Sequence, residues 1–296
     1  MGRRGPSRWQ ALLWLGPSLT LIAAVVVYPA IALVSASLSR YSITGVYQGS
    51  VGTRNYARLL EQQALPAVVA NTAVWVTAVV AVTILISLAL AQLLNERFPG
   101  RRLVRWALIV PWAASLIVTA KLFAWIYDYY FGILNRALIS LHVIAEPIDW
   151  LGDDATVMGA MIAVGIFVSL PFTTYVLLAG LQAIPGEVYE AARVDGASGW
   201  RRYRSVTLPL LRPALLVATV LNVIYVFNSF PIVWTLNDRN PGFAHDTMIT
   251  YMYKIAFKSA LRDVGLAGAL GVVNVLVILL AVVVYLSTVT WREAEA

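Results

Sequence analysis

Six stretches of about twenty or more residues that are apolar all round constrain this chain more than any other feature. They run over residues 11–38, 67–94, 103–127, 156–181, 209–235 and 264–290. A bilayer core of ~30 Å is crossed by ~20 predominantly apolar residues in a helix. A helix that is apolar on every face needs lipid or other helices around it. Composition agrees: 60% of the 296 residues are hydrophobic and 12% charged, whereas a soluble domain holds ~45–50% and ~25%. Too few charges remain to coat a water-facing surface. Arg3, Arg4 and Arg8 precede the first stretch and Ser35-Ala36-Ser37 follows, as in a secretory signal. Its apolar run exceeds the ~7–15 residues of a signal core, so it reads as a span. The sequence therefore predicts an all-α, polytopic membrane protein with six transmembrane helices.

Orientation follows from the basic residues. Thirteen fall in one set of flanking segments: Arg3, Arg4, Arg8, Arg97, Arg101, Arg102, Arg105, Arg193, Arg201, Arg202, Arg204, Arg212 and Arg292. Eight fall in the other: Arg40, Arg54, Arg58, Arg136, Arg239, Lys254, Lys258 and Arg262. The excess places both termini in the cytoplasm. The net charge of +7 thus reports orientation, and nucleic acid is not an expected partner.

Chemistry is excluded more easily than assigned. Cysteine is absent, which removes disulfides, thiol nucleophiles, Cys-ligated zinc and iron–sulfur sites, and the presence of only His142 and His245 argues against a His-rich metal site. None of the three lysines, Lys121, Lys254 and Lys258, sits in a phosphate-cradling G-x-x-x-x-G-K-[ST] loop. No Asp, Glu or His lies centrally in a span, where ion-coupled carriers place them at a cost of ~2.5–3.5 kcal/mol each. The same absence argues against an intramembrane enzyme. No internal repeat of the kind that marks many secondary transporters is visible.

The informative cytoplasmic stretch is residues 184–208. Pro185 suits a helix start, Glu187 and Glu190 suit the positive end of the helix dipole, and Gly196 suits a stop. A second short piece follows, with Trp200 and Tyr203 on its apolar side. By position alone this is either a solvated connector or a docking element.

Its pattern is more specific. Glu190-Ala191-Ala192, Gly196, then Val206 and Leu208-Pro209 resembles the EAA motif of ABC importer permeases, with Val206 where Ile is usual. The stretches 189–197 (YEAARVDGA) and 207–213 (TLPLLRP) resemble the carbohydrate-importer branch. Val51-Gly52 with Asn55-Tyr56, Asn71-Thr72, residues 132–135 (GILN) and 253–257 (YKIAF) are similar to other family positions. Residues after Pro213 resemble the MalF-type partner more than the MalG-type one, although residues 235–242 (TLNDRNPG) lack the usual glycine cluster.

The resemblance implies one transmembrane domain over 1–296, with a core at 67–290, a first span at 11–38 and a coupling segment at 184–208. It implies that Glu187, Glu190, Ala191, Ala192, Asp195 and Gly196 meet a cytoplasmic ABC ATPase dimer. Its further partners would be a MalG-type permease and an extracytoplasmic sugar-binding protein, in a bacterial or archaeal cell membrane. The chain itself would be no enzyme and hold no cofactor; ATP and Mg²⁺ belong to the partner ATPase.

The spans also hold neutral polar residues. Asn222, Tyr225 and Ser229 recur on the fifth with Asn228 nearby, Ser169, Thr173 and Tyr175 surround Pro171 on the fourth, and Asn274 lies on the sixth. Amide, hydroxyl and aromatic groups are what a sugar needs, yet such residues also hydrogen-bond neighbouring helices. Lys121 either snorkels toward the outer surface or meets cargo. Outside the bilayer, Trp150, Asp153, Asp154 and residues 243–246 are candidates for receiving the binding protein or simply loop residues. The reading is a permease subunit for a sugar or sugar-like polyol; a stand-alone carrier or channel is the alternative.

Overall fold

The computed structural model describes residues 8–238, 240, 242–258 and 262–294. Arg3, Arg4 and Arg239, used above for orientation, lie outside the described residues. The chain is mostly helical. In order it forms α1 (Arg8–Ile22), α2 (Tyr28–Ser37), β1 (Ser39–Tyr41), β2 (Tyr47–Ser50), α3 (Arg54–Leu60), α4 (Leu65–Asn95), α5 (Arg101–Trp112) and α6 (Leu116–Ile126). There follow α7 (Ile133–Ser140), α8 (Val157–Gln182), α9 (Gly186–Val194), α10 (Gly199–Arg202), α11 (Leu208–Leu210), α12 (Arg212–Phe227), α13 (Phe230–Leu236), α14 (Met248–Tyr253) and α15 (Val264–Ala294).

Among the described residues, four helices are long and apolar enough to cross a membrane: Trp14–Ser37, Leu65–Asn95, Val157–Gln182 and Val264–Ser287. These fall on the expected first, second, fourth and sixth spans. In the first, a π turn at Ala23–Val27 joins α1 to α2; Pro29 supplies no N–H to the preceding turn, and the wider turn absorbs the loss.

The expected third and fifth spans are not continuous helices. Pro111 has no N–H for the carbonyl of Ala107, α5 ends at Trp112, and Ser115 is extended (φ −61°, ψ 142°) before α6 begins. In the fifth, Gly199–Leu210 and Arg212–Phe227 meet at 64°, where Pro213 cannot bond back to Pro209. A second break follows: Asn228 closes α12, Ser229 takes φ −77° and ψ 57°, and Pro231 opens α13. The all-α expectation also misses the β1–β2 hairpin, paired antiparallel with an irregularity at Arg40/Tyr41. Its turn uses Gly45 at φ +82°, and Val46 N–H donates to Ser42 Oγ (3.1 Å).

The chain divides into two compact units, residues 1–65 with 252–276 and residues 66–251 with 277–296. In the first, glycines let α15 approach the end of α2. A Cβ on Gly265 would collide with Ser39 O, and one on Gly268 would lie 3.0 Å from Ser37 N. Asn55 secures this corner by donating to Ser37 O and Ser39 O, each at 2.9 Å, and Tyr56 OH lies 2.8 Å from Ser37 Oγ.

In the second unit, Trp75, Val79, Met161, Val164, Ile232, Val233 and Leu236 form one apolar core among α4, α8 and α13. Leu94, Leu177, Leu181, Leu211 and Ala218 form another. Trp75 Nε1 donates to Val226 O at 2.9 Å, tying α4 to α12.

Candidate functional site

Two features of the second unit carry the chemistry: the charged segment after α8 and a cavity between α8 and α12. The segment's first helix starts at Gly186, one residue later than the sequence predicts, with Pro185 as the extended residue before α9 (φ −61°, ψ 138°). Glu187 occupies its first turn and Arg193 its last, each matching the helix dipole.

Gly196 ends α9 at φ +73°. Its N–H reaches Arg193 O (3.0 Å), while Ala197 N–H reaches Ala192 O (3.0 Å). This is the paired closure of a Schellman turn. Ser198 then caps α10, accepting from Arg201 N–H at 3.4 Å. Thr207 Oγ1 donates to Tyr189 OH at 3.4 Å, linking α9 to the returning chain. Trp200 stacks on Tyr203 at 5.8 Å, and burial pushes the Tyr203 phenol up.

Glu187, Glu190, Ala191, Arg193 and Asp195 are all exposed, and Ala192 is half-buried. Val194 is 88% exposed and Trp200 71%. Apolar side chains left this open beside small residues and carboxylates form a surface that a partner could cover.

The cavity has a volume of about 250 Å³ and is lined by Trp112, Val168, Ser169, Phe172, Thr173, Leu221, Asn222 and Tyr225. Asn222 Nδ2 donates to Thr173 Oγ1 (3.4 Å), and Thr173 Oγ1 donates to Ser169 O (2.9 Å). Ser169 Oγ is buried with no partner among the described residues. A buried hydroxyl left this way costs about 1–3 kcal/mol, which a visiting polar group would recover. Tyr225 is 39% exposed and contributes to the cavity lining. The lining therefore combines amide, hydroxyl and aromatic surface without charge.

Only part of the predicted polar set meets here. Asn222 and Tyr225 line the cavity together. Tyr175 instead donates to Arg105 O at 3.2 Å, joining α8 to α5. Asn228 donates to Ile224 O at 2.8 Å and is exposed at the end of α12, while Ser229 is buried in the break that follows. Asn274 belongs to the first unit, where its Nδ2 lies 3.8 Å from Met252 Sδ. Lys121 is exposed on α6 and does not line the cavity. Trp112 and Phe172 were not predicted; Pro111, which ends α5 beside Trp112, was the available signal.

Outside the spans, several candidates for partner contact serve the fold. Trp150 Nε1 donates to Asn135 Oδ1 (2.8 Å). Asp246 is buried and accepts from Asn237 (3.2 Å) and Thr250 (3.1 Å). Burial, with this carboxylate nearby, pushes the Tyr251 phenol up. Asp153 is exposed, as is Asp154, which pairs with His245 at 2.7 Å.

Residues 81–292, which include the coupling segment and the cavity, match the model of the family described as binding-protein-dependent transport system inner membrane component. The chain belongs to this family. The permease is 37% identical over 277 residues to a probable ABC transporter permease protein of Brucella suis, covering 94% of this chain and 95% of that one. It is 34% identical to the trehalose/maltose transport system permease protein MalF of Thermococcus litoralis, covering 95% and 94%. Its fold matches a solved bacterial ABC transporter involved in import of the acidic polysaccharide alginate, with a TM-score of 0.82, 21% identity and 95% coverage of each chain. The permease is a membrane-embedded ABC-importer subunit and not an enzyme; ATP hydrolysis resides in a separate chain. No cluster of three potential metal ligands occurs among the described residues.

Proposed function

We propose that this permease passes a sugar or sugar-like polyol through a pathway it shares with a MalG-type permease, itself being the MalF-type partner. The observation that carries the reading is the uncharged cavity in which Asn222, Tyr225, Thr173 and Ser169 stand among Trp112 and Phe172. Amide and hydroxyl groups answer sugar hydroxyls, while ring faces cover the apolar C–H surface. The sugar named in the Thermococcus relative supports the same class. Asn228, Ser229, Tyr175, Asn274 and Lys121 remain proposed pathway residues, although none of them borders this cavity.

In this account the chain is one transmembrane domain over 1–296, with its core at 67–290. It crosses the bilayer six times, α5 with α6 making the third crossing and α12 with α13 the fifth. Both termini are cytoplasmic. Glu187, Glu190, Ala191, Ala192, Asp195 and Gly196 present the surface that meets an ABC ATPase dimer using ATP and Mg²⁺. Ala191 and Ala192 permit close approach, and Glu190 accepts charge-assisted hydrogen bonds from a basic partner. An extracytoplasmic sugar-binding protein delivers cargo from the other side.

The test is affinity purification from native membranes in mild detergent, with the companions identified by mass spectrometry. Recovery of a nucleotide-binding ATPase and a second permease is expected. Recovery of this chain alone, active in proteoliposomes without ATP, would make it a carrier instead.

A further inference from the structure

The first unit holds a polar cavity of about 540 Å³, lined by Arg40, Arg54 and Arg58 together with Tyr41, Gln48 and Asp263, none of which lines the cavity between α8 and α12. Arg58 is committed: it pairs with Asp263 at 2.7 Å and donates to Asn55 Oδ1 at 3.4 Å. The other carboxylate oxygen of Asp263 caps α15 through Leu266 N–H (2.9 Å). Arg40 and Arg54 are exposed and have no ion-pair partner among the described residues. The cavity therefore keeps two guanidinium groups uncompensated, on walls that Asn55 and the Arg58–Asp263 pair hold in place.

Depth decides what meets them. The first span, Trp14–Ser37, has 24 residues, about 36 Å at ~1.5 Å per residue, against a hydrocarbon core of ~30 Å. Its end therefore reaches into the headgroup layer, and Arg40 lies three residues beyond Ser37. The sixth span starts from the same corner, at Val264 directly after Asp263. The hairpin beside the cavity exposes Ile43, Val46 and Tyr47, and Tyr47 makes an edge-to-face pair with Tyr41 at 6.0 Å. Amphipathic rings with apolar neighbours suit a bilayer interface better than a dry protein contact. Guanidinium groups are well matched to phosphate oxygens.

We propose that this cavity seats the phosphate of an anionic phospholipid headgroup, anchoring the outer end of the first span. The inference rests on the membrane setting and not on the identity of the cargo.

Native mass spectrometry of the detergent-purified complex, titrated with phosphatidylglycerol or phosphatidylcholine, tests it. Each arginine near an anionic membrane surface changes affinity by about fivefold, so Arg40→Gln with Arg54→Gln should weaken phosphatidylglycerol binding roughly 30-fold. Phosphatidylcholine, whose choline charge offsets its phosphate, should bind wild type far more weakly than phosphatidylglycerol, and Arg40→Lys with Arg54→Lys should restore part of the loss. An unchanged elution profile and an unchanged unfolding temperature in detergent show that the variants are folded. Equal phosphatidylglycerol binding by wild type and double glutamine variant would overturn the proposal. So would displacement of the lipid by millimolar inorganic phosphate, which would make this a free-anion site. Loss of binding-protein affinity with lipid binding intact would also overturn it, since the cavity would then dock a protein carboxylate.

Discussion

At the scale of single residues, Gly196 and Tyr225 each have one feature that a substitution can isolate. A Cβ at Gly196 would meet nothing within 4 Å, so space is not what requires glycine. The requirement is φ +73°, which costs an ordinary L-residue about 1–2 kcal/mol. Gly196→Ala should therefore loosen the turn between α9 and α10 and lower ATP-coupled uptake severalfold at an unchanged membrane level. Gly196→Asn, which tolerates the left-handed region, should retain most uptake. Equal, undiminished uptake by both variants would show that the turn geometry does not matter for coupling. The Tyr225 hydroxyl has no partner among the described residues, so Tyr225→Phe should leave the thermal unfolding temperature in detergent unchanged. If that hydroxyl bonds cargo, its net worth of about 0.5–1.5 kcal/mol raises the apparent KM for uptake roughly 2–10-fold. An unaltered KM would remove it from the pathway.

At the scale of elements, α8 offers a matched pair of glycines. A Cβ on Gly180 would collide with Ala214 Cβ and lie 2.9 Å from Leu211 Cδ1, whereas one on Gly159 meets nothing within 4 Å. Gly180→Val should destabilise the α8–α12 contact by about 1–3 kcal/mol, measured as a lower unfolding temperature in detergent. Gly159→Ala should be neutral or slightly stabilising; equal effects of the two would contradict the packing described. Hydropathy found α4, α8 and α15 to within a few residues because a lipid-spanning helix must be apolar for its whole length. It merged α5 with α6 and α12 with α13, since a break at residues 113–115 or at Ser229 does not alter mean hydropathy. Pro111, Pro213 and Pro231 were the signals that periodicity overlooked. Gly196 was legible because a helix stop requires local conformational freedom. Tyr189–Thr207 and Asn135–Trp150 were not, because each joins side chains through tertiary geometry. The cavity was legible in part: Asn222 and Tyr225 stood out as polar in an apolar run, whereas Trp112 and Phe172 look like any lipid-facing aromatic until the helices are assembled.

At the scale of the whole molecule, the six-crossing topology makes a prediction that the sequence is well suited to test, because it contains no cysteine. Glu146→Cys, in the exposed loop before α8, should react with an impermeant maleimide on intact cells. Arg193→Cys, in the coupling helix, should react only after the cytoplasmic face is opened. The reverse pattern would invert the chain, and labelling of both on intact cells would rule out this number of crossings. In the function proposed, the chain is a conduit driven from its cytoplasmic surface by a separate ATPase. The most direct measurement is uptake of labelled sugar or polyol into proteoliposomes holding the purified complex, with ATP on the cytoplasmic side, for wild type and Glu190→Lys. Wild-type uptake should require hydrolysable ATP, and Glu190→Lys should assemble in the membrane yet lose uptake. Wild-type uptake without ATP, or undiminished uptake by Glu190→Lys, would contradict it.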